Sequence, residues 1–120
     1  MIKFEKNTIM NYRIKEELGR KLIEYNRFWS NKINDAENIP DDILIEKSLM
    51  YLDIEDINQL FNLYPHSKIK QVWLNRLVIQ GDHYKMLNRL LAWMYFDIKK
   101  PDRYINRIIN NHYKKLQCIH

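Results

Sequence analysis

Residues 40–65 read PDDILIEKSLMYLDIEDINQLFNLYP, and this stretch decides the fold. Acidic residues precede an apolar segment at two points, as is usual where carboxylates meet the free N–H groups and the positive dipole end of a helix. Asp41 and Asp53 are accordingly placed to cap two helices. Pro65 ends the second helix, because proline disfavours helical geometry in the residue before it. The stretch therefore predicts two consecutive short helices.

The same combination of apolar periodicity, caps and breakers continues on both sides of this stretch. Pro101, for example, suits the first position of a last helix. Residues 1–11 show no clear period and are expected to form an N-terminal arm before a single helical domain at residues 12–120. The fold class is therefore all-α, a compact single-domain bundle of about six short helices. The helices are predicted near residues 12–28, 41–52, 54–64, 67–79, 83–97 and 101–116.

Only two glycines, Gly19 and Gly81, occur in the 120 residues. Gly-rich phosphate loops, dinucleotide-binding fingerprints and nucleophile elbows need glycine where the backbone bends sharply or approaches a ligand. None of these motifs can be built from two glycines, and tight hairpin turns also use glycine. The shortage excludes the common nucleotide-binding loops and favours functions that use helix surfaces.

The net charge of +5 lies at one end of the chain. Residues 99–120 contain six Lys or Arg and one Asp, a net charge of +5, so the first 98 residues carry 14 basic and 14 acidic residues and are neutral. The predicted helix at 101–116 is therefore basic. Such a helix can attract phosphate groups or an acidic protein, although a solvated terminal helix has the same composition.

The titratable side chains form no pattern that indicates catalysis. The acidic residues cluster where helices are predicted to begin, so capping accounts for them. Four histidines, at positions 66, 83, 112 and 120, lack the spacing of a zinc site. The single cysteine, Cys118, lies near the end of the chain without a rigid setting for a nucleophile. We therefore expect no enzyme activity, no catalytic residue, no metal site and no cofactor.

The sequence also predicts that the protein works in the cytoplasm and away from membranes. No apolar run approaches the ~20 residues of a membrane span. The first residues, MIKFEK, are not followed by the apolar core of a secretory signal. A single cysteine cannot form an internal disulfide, which suits a reducing compartment.

Three large aromatic residues are the predicted surface for a protein partner. Apolar residues from Leu87 to Ile98 form a stripe that predicts the core-facing side of a helix, and Trp93 and Phe96 lie outside that stripe. Trp29 stands beside a polar segment. Large aromatics dominate the energetics of protein interfaces, so these three positions are the candidates for a binding surface.

Residues 53–78 also have the outline of a helix-turn-helix, with Pro65 in the turn. The second helix would present Gln and Asn side chains that can read base edges, next to lysines that can bind phosphates. The basic last helix would add further phosphate contacts. The possible nucleic-acid contacts are Lys68, Lys70, Gln71, Asn75, Arg103, Arg107 and Lys114.

Five segments of the chain resemble a known protein family: residues 28–30 (FWS), 45–57 (IEKSLMYLDIEDI), 60–64 (LFNLY), 68–72 (KIKQV) and 95–98 (YFDI). The family consists of small all-helical bacterial proteins of unassigned function. Its members are often encoded beside nucleotidyltransferase toxins of the abortive-infection type.

The resemblance covers a family-like core at residues 27–98. The chain departs from the family pattern at Ser30, where members tend to have Asp, and at Pro65, where they tend to have Gly. The resemblance implies an antitoxin-like role, or an accessory role, for a protein that binds a nucleotidyltransferase-type toxin. The sequence leaves the oligomeric state open. The alternative interpretation is a DNA-binding transcriptional regulator that uses residues 53–78 and the basic helix at 101–116.

Overall fold

A computed structural model describes the backbone of residues 2–25 and 39–119, and the side chains of residues 9–25 and 39–116. Every regular element in these residues is helical and none is a strand, so the predicted all-α class is confirmed. The helices fall into two compact units, Met1–Ile69 and Lys70–His120, and each unit is described by itself.

The first unit is built on three helices that contact one another. They are α1 at Ile2–Glu24, α2 at Asp41–Tyr51 and α3 at Ile54–Leu63. Their buried side chains are almost all aliphatic, and they form the core of this unit. The fully buried members are Leu18, Leu22, Leu44, Ile45, Leu49 and Leu60, and outside the three helices Ile39 and Ile69 of the same unit are also fully buried.

The start of α1 differs from the prediction, because the helix already begins at Ile2 and passes through the residues expected to form an arm. The segment before Gly19 has no Gly or Pro and contains good helix formers such as Lys, Glu and Met. Once a helix is nucleated, each added residue gains one backbone hydrogen bond, so the helix extends without an apolar stripe. At its other end α1 stops at Glu24, and residues 26–28 of the predicted helix lie outside the described residues.

Helices α2 and α3 begin and end within one residue of the predicted positions, but their acidic residues do not cap them through side chains. Asp53 is the N-cap residue of α3 and makes no side-chain cap hydrogen bond. Asp41 lies in the first turn of α2, after Pro40, and its carboxylate accepts hydrogen bonds from the Tyr64 hydroxyl and from Lys15 Nζ. These donors, Tyr64 first, hold the pKa of Asp41 below its usual value.

An irregular helical segment begins at His66 and continues into the second unit, where the sequence predicted one regular helix at 67–79. Helix α4, His66–Val72, leads directly into a π-helical turn at Trp73–Leu77 and a 3-10 segment at Val78–Tyr84. Gly81 has φ of 71° and ψ of −135°, a conformation that residues with a Cβ rarely adopt. Because helical periodicity alone does not distinguish α, π and 3-10 geometry, the sequence could not show this change.

Helix α5 spans Lys85–Tyr95 and helix α6 spans Pro101–Ile119. Between them Asp97 adopts a φ of 50°, in the left-handed region that Asp tolerates better than most residues. The Ile98 N–H donates to the Ala92 carbonyl at 3.1 Å, which closes the end of α5. The predicted start of α6 at Pro101 is confirmed, and this turn places Pro101 beside the side chains of α5.

Candidate protein-binding surface

Helix α5 carries large apolar side chains on its solvent side. Met86 is 79% exposed, Leu90 48%, Trp93 68% and Met94 38%. These positions follow one another at intervals of four, three and one, so they lie on one side of the helix. Contiguous apolar patches of a few hundred Å² are uncommon on proteins that act alone and often mark a binding site. These four residues are called the α5 surface below.

The opposite side of α5 is fixed to the irregular segment by Asn88, which is completely buried. Its Oδ1 accepts a hydrogen bond from the indole Nε1 of Trp73 at 3.0 Å, and its Nδ2 donates to the Leu77 carbonyl at 3.3 Å. A buried side-chain amide whose oxygen and nitrogen are both hydrogen-bonded fixes the rotation of its helix about the helix axis. Any other rotation would leave polar groups unpaired. Asn88 therefore determines which residues of α5 face solvent.

An aromatic cluster lies beneath α5. The Trp73 side chain is completely buried, and the ring of Phe96 stacks on it with the ring centroids 4.6 Å apart. Tyr104 of α6 is nearly parallel to Trp73 at 6.5 Å. Phe96 is only 6% exposed, so the prediction that it lies on the partner surface is wrong. Phe96 follows the end of α5, where helical spacing no longer describes the direction of a side chain.

An open groove of about 530 Å³ runs beside the α5 surface. It lies between α5 and the first residue of α6, and its walls are almost entirely apolar. Its lining residues are Met86, Leu87, Arg89, Leu90, Trp93 and Pro101. A groove flanked by exposed apolar side chains can receive side chains from a partner.

A second groove of about 400 Å³ continues from the first, since Arg89 and Pro101 line both. Its other lining residues are Lys100, Asp102 and Arg103. The guanidinium of Arg89 donates to both carboxylate oxygens of Asp102, through Nε and, at 2.8 Å, through a terminal nitrogen. This bidentate contact lowers the pKa of Asp102 and raises the pKa of Arg89. The apolar groove thus ends in a basic rim.

The predicted partner residues have three different outcomes. Trp93 is exposed, as expected for a surface residue, and Phe96 is buried. Trp29 lies outside the described residues. Sequence reasoning missed Met86, and it assigned Leu90 and Met94 to the core stripe from their spacing. The signal that could have separated the two sides was Asn88, a polar residue that can bond buried groups.

The predicted nucleic-acid contacts do not all lie free on the surface. Lys68 Nζ makes an ion pair with Asp42 at 2.7 Å, whereas Gln71 and Asn75 are exposed. Lys70 Nζ and Arg107 Cζ lie 5.6 and 5.3 Å from the centroid of Tyr104, so two of the predicted cations meet at one ring. On α6 the residues Arg103, Arg107 and Lys114 are all exposed. Asn75 lies in the π-helical turn, so the predicted recognition helix is not regular along its length.

The described residues contain no group of three or more His, Cys, Asp or Glu side chains that could hold a metal ion. In the same part of the chain, no helix has the length and apolar character needed to cross a membrane. Comparison of the sequence and structure with protein-family models, curated proteins and solved structures found no match. The resemblance of residues 27–98 to antitoxin-like proteins therefore stays a prediction.

Proposed function

We propose that this protein is a non-enzymatic interaction protein that binds a partner protein through the α5 surface. The observation that carries the proposal is the side-by-side exposure of Met86, Leu90 and Trp93 next to an apolar groove. Tryptophan in such a setting is the residue type most often found to dominate binding energy, and methionine adapts its shape to a partner.

The partner that the resemblance supports is a nucleotidyltransferase-type toxin, which gives the protein an antitoxin-like or accessory role. The proposal joins two independent supports. The resemblance at residues 27–98 names the class of partner, and the exposed side of α5 supplies a surface on which a partner can dock. The cytoplasm is the location in which such a pair would meet.

The proposal is tested by producing the protein together with a nucleotidyltransferase-type toxin and measuring whether the two purify as one complex. Trp93→Ala is expected to abolish the complex while circular dichroism shows an unchanged helical fold. Tyr113→Ala is the matched control, because Tyr113 is a similarly exposed aromatic residue on α6. A complex that survives Trp93→Ala, or that is lost equally with Tyr113→Ala, would contradict the proposed surface.

A second candidate function is nucleic-acid binding, as a DNA-binding regulator. It is favoured by the meeting of Lys70 and Arg107 at Tyr104 and by the exposed arginines and lysine of α6. Replacing Arg103, Arg107 and Lys114 together by alanine should then abolish binding of a DNA duplex. The binding should also weaken steeply with added salt, because phosphate contacts release counterions. Sequence-selective nanomolar binding in ~150 mM salt would favour this function over the first.

A further inference from the structure

We propose that the α5 surface takes an acidic amphipathic helix of the partner protein. This inference rests on the proposed function, because it names the chemistry of the partner that the α5 surface would bind. It is carried by the arrangement of an apolar groove next to a groove with a basic rim, the two sharing Arg89 and Pro101.

The apolar centre has the dimensions of a helix-binding site. Met86, Leu90 and Trp93 stand at i, i+4 and i+7, which places them along roughly 10 Å of the helix axis. Amphipathic helices that dock on a helix or in a groove do so with anchors at the same spacing. The groove beside these residues lies between α5 and Pro101 and is open to solvent.

A helical partner is favoured over an extended one by the backbone chemistry of the fold. An extended peptide needs a strand edge to pair its N–H and C=O groups, and the described residues contain no strand. A helix satisfies its own backbone hydrogen bonds, so it can bring apolar side chains into the groove without leaving polar groups unpaired.

The basic rim indicates that the partner's charge is negative. Residues 85–103 contain five Lys or Arg and two Asp, a net charge of +3. One of the acids, Asp102, is engaged by Arg89. The exposed side chains of Lys99, Lys100 and Arg103 make no ion pair with any residue in the part of the chain that the structure describes. Carboxylates on a docked helix would complement these cations, and lysines in the same places would be repelled.

A second copy of the chain is a poorer occupant for two reasons. Its own α5 surface would bring a second basic rim toward the first, and like charges across an interface oppose association. The four apolar side chains also expose on the order of 500 Å² in total, taking ~200 Å² for each large side chain. A stable dimer needs about 800 Å² from each partner, whereas a short helix docking with its apolar side needs less.

The test uses two synthetic peptides of about 18 residues, long enough for a helix to form. Both carry the same Leu and Trp anchors at i, i+4 and i+7. One has Glu and the other Lys at its remaining charged positions. Binding to the full chain is measured by fluorescence anisotropy of labelled peptide at low and high salt. We expect the acidic peptide to bind about tenfold more tightly at low salt, with an advantage that shrinks as salt screens the rim.

Matched variants separate the apolar centre from the rim. Leu90→Ser should weaken both peptides, and Leu116→Ser, at a leucine of similar exposure on α6, should weaken neither. Arg103→Glu should remove most of the preference for the acidic peptide. Arg13→Glu, which changes an exposed arginine of α1, should leave that preference intact. Circular dichroism of each variant confirms that the fold is kept.

Several outcomes would overturn the inference. If the two peptides bind equally and Leu90→Ser still weakens their binding, the acidic partner is rejected. The proposed protein-binding function would then still stand. Binding of neither peptide would reject the helical partner. Sedimentation that shows a dimer dissociated by Leu90→Ser would assign the surface to a second copy. Displacement of the acidic peptide by a DNA duplex would assign the rim to nucleic acid. The proposed function itself would instead be contradicted by a complex with the toxin that Trp93→Ala does not affect.

Discussion

The two sides of α5 have similar apolar content and opposite environments. Leu90 and Leu91 are neighbours of the same residue type, yet Leu90 is 48% exposed and Leu91 is 1% exposed. Two tryptophans show the same contrast, since Trp73 is completely buried beneath α5 and Trp93 projects from it. The inner side is held in place by a polar residue, Asn88, and the outer side exposes large apolar residues. Apolar content alone therefore does not identify the side that faces the core.

The difference has an energetic consequence. A buried apolar side chain stabilises the fold in proportion to the area removed from water, at roughly 25 cal/mol per Å². Met86 and Trp93, the most exposed residues of the α5 surface, remove the least area from water in the isolated chain and so contribute least to folding. Large apolar side chains that stay exposed lower solubility, and such exposure is the pattern of a surface used for binding. Stability measurements on paired variants test this contrast.

The largest difference is expected between Phe96→Ala and Trp93→Ala. Phe96→Ala removes the ring that stacks on Trp73 and leaves a cavity, so it should lower the free energy of unfolding by about 3–5 kcal/mol. Trp93→Ala should change it by no more than about 0.5 kcal/mol, because the side chain is exposed. Urea denaturation followed by circular dichroism measures both. Equal losses in the two variants would show that the ring of Trp93 is part of the core.

The next difference is expected between the adjacent leucines. Leu91→Ala should cost about 2–5 kcal/mol in the free energy of unfolding, as is usual for a buried leucine. Leu90→Ala removes the same atoms from a side chain that is about half exposed and should cost less, about 1 kcal/mol. Thermal and urea melts of the two single variants are directly comparable. A large loss in Leu90→Ala and none in Leu91→Ala would mean that α5 is rotated relative to the structure.

Asn88→Ala tests what fixes that rotation. The change leaves the Trp73 indole N–H and the Leu77 carbonyl without their amide partner, which should cost about 1–3 kcal/mol in the free energy of unfolding. Asn106→Ala, at an exposed asparagine of α6, serves as the control and should have a small effect. The fluorescence of buried Trp73 reports on the same site. An unchanged stability would show that packing, rather than the amide, orients α5.

The sequence predicted the parts of this fold that depend on local chemistry. Pro65 and Pro101 mark helix boundaries through their missing N–H and fixed φ, so the limits of α3 and α6 could be read directly. The turn at Trp73–Leu77 could not, because a single π-helical turn of five residues is too short to show a period of its own. The beginning of α1 was missed because residues 1–11 show no clear apolar period, and a helix can extend without one.

The candidate site was predicted only in part. Trp93 was identified because it lies outside the apolar stripe, whereas Leu90 was assigned to the core and Phe96 to the surface. The error at Leu90 arose because α5 is apolar on more than one side, so the apolar spacing does not show how the helix is rotated about its axis. The error at Phe96 arose because this residue follows the end of α5, where helical spacing no longer applies. The rotation depends on Asn88 and its two hydrogen bonds, and these are tertiary contacts.

The smallest expected effect on stability concerns the link between α5 and the start of α6. The pKa of Asp102 is lowered, chiefly by the hydrogen bonds from Arg89. A carboxyl whose pKa is lower in the folded state stabilises the fold above its unfolded pKa, near 4, and loses that contribution as the pH falls through the folded value. The pair is exposed and screened by salt, so Asp102→Asn should change the melting temperature at pH 7 very little.

The titration of Asp102 itself is the sharper measurement. In Arg89→Gln, NMR detection of the side-chain carboxyl should show the pKa of Asp102 rising toward its ordinary value. Lys85→Gln is the control, because Lys85 is the weakest of the groups that act on Asp102, so its removal should raise the pKa less. Equal pKa values in wild type and Arg89→Gln would show that the bridge does not persist in solution. Arg89 would then be a further open cation beside the apolar groove, and the basic rim would begin within the α5 surface rather than at its end.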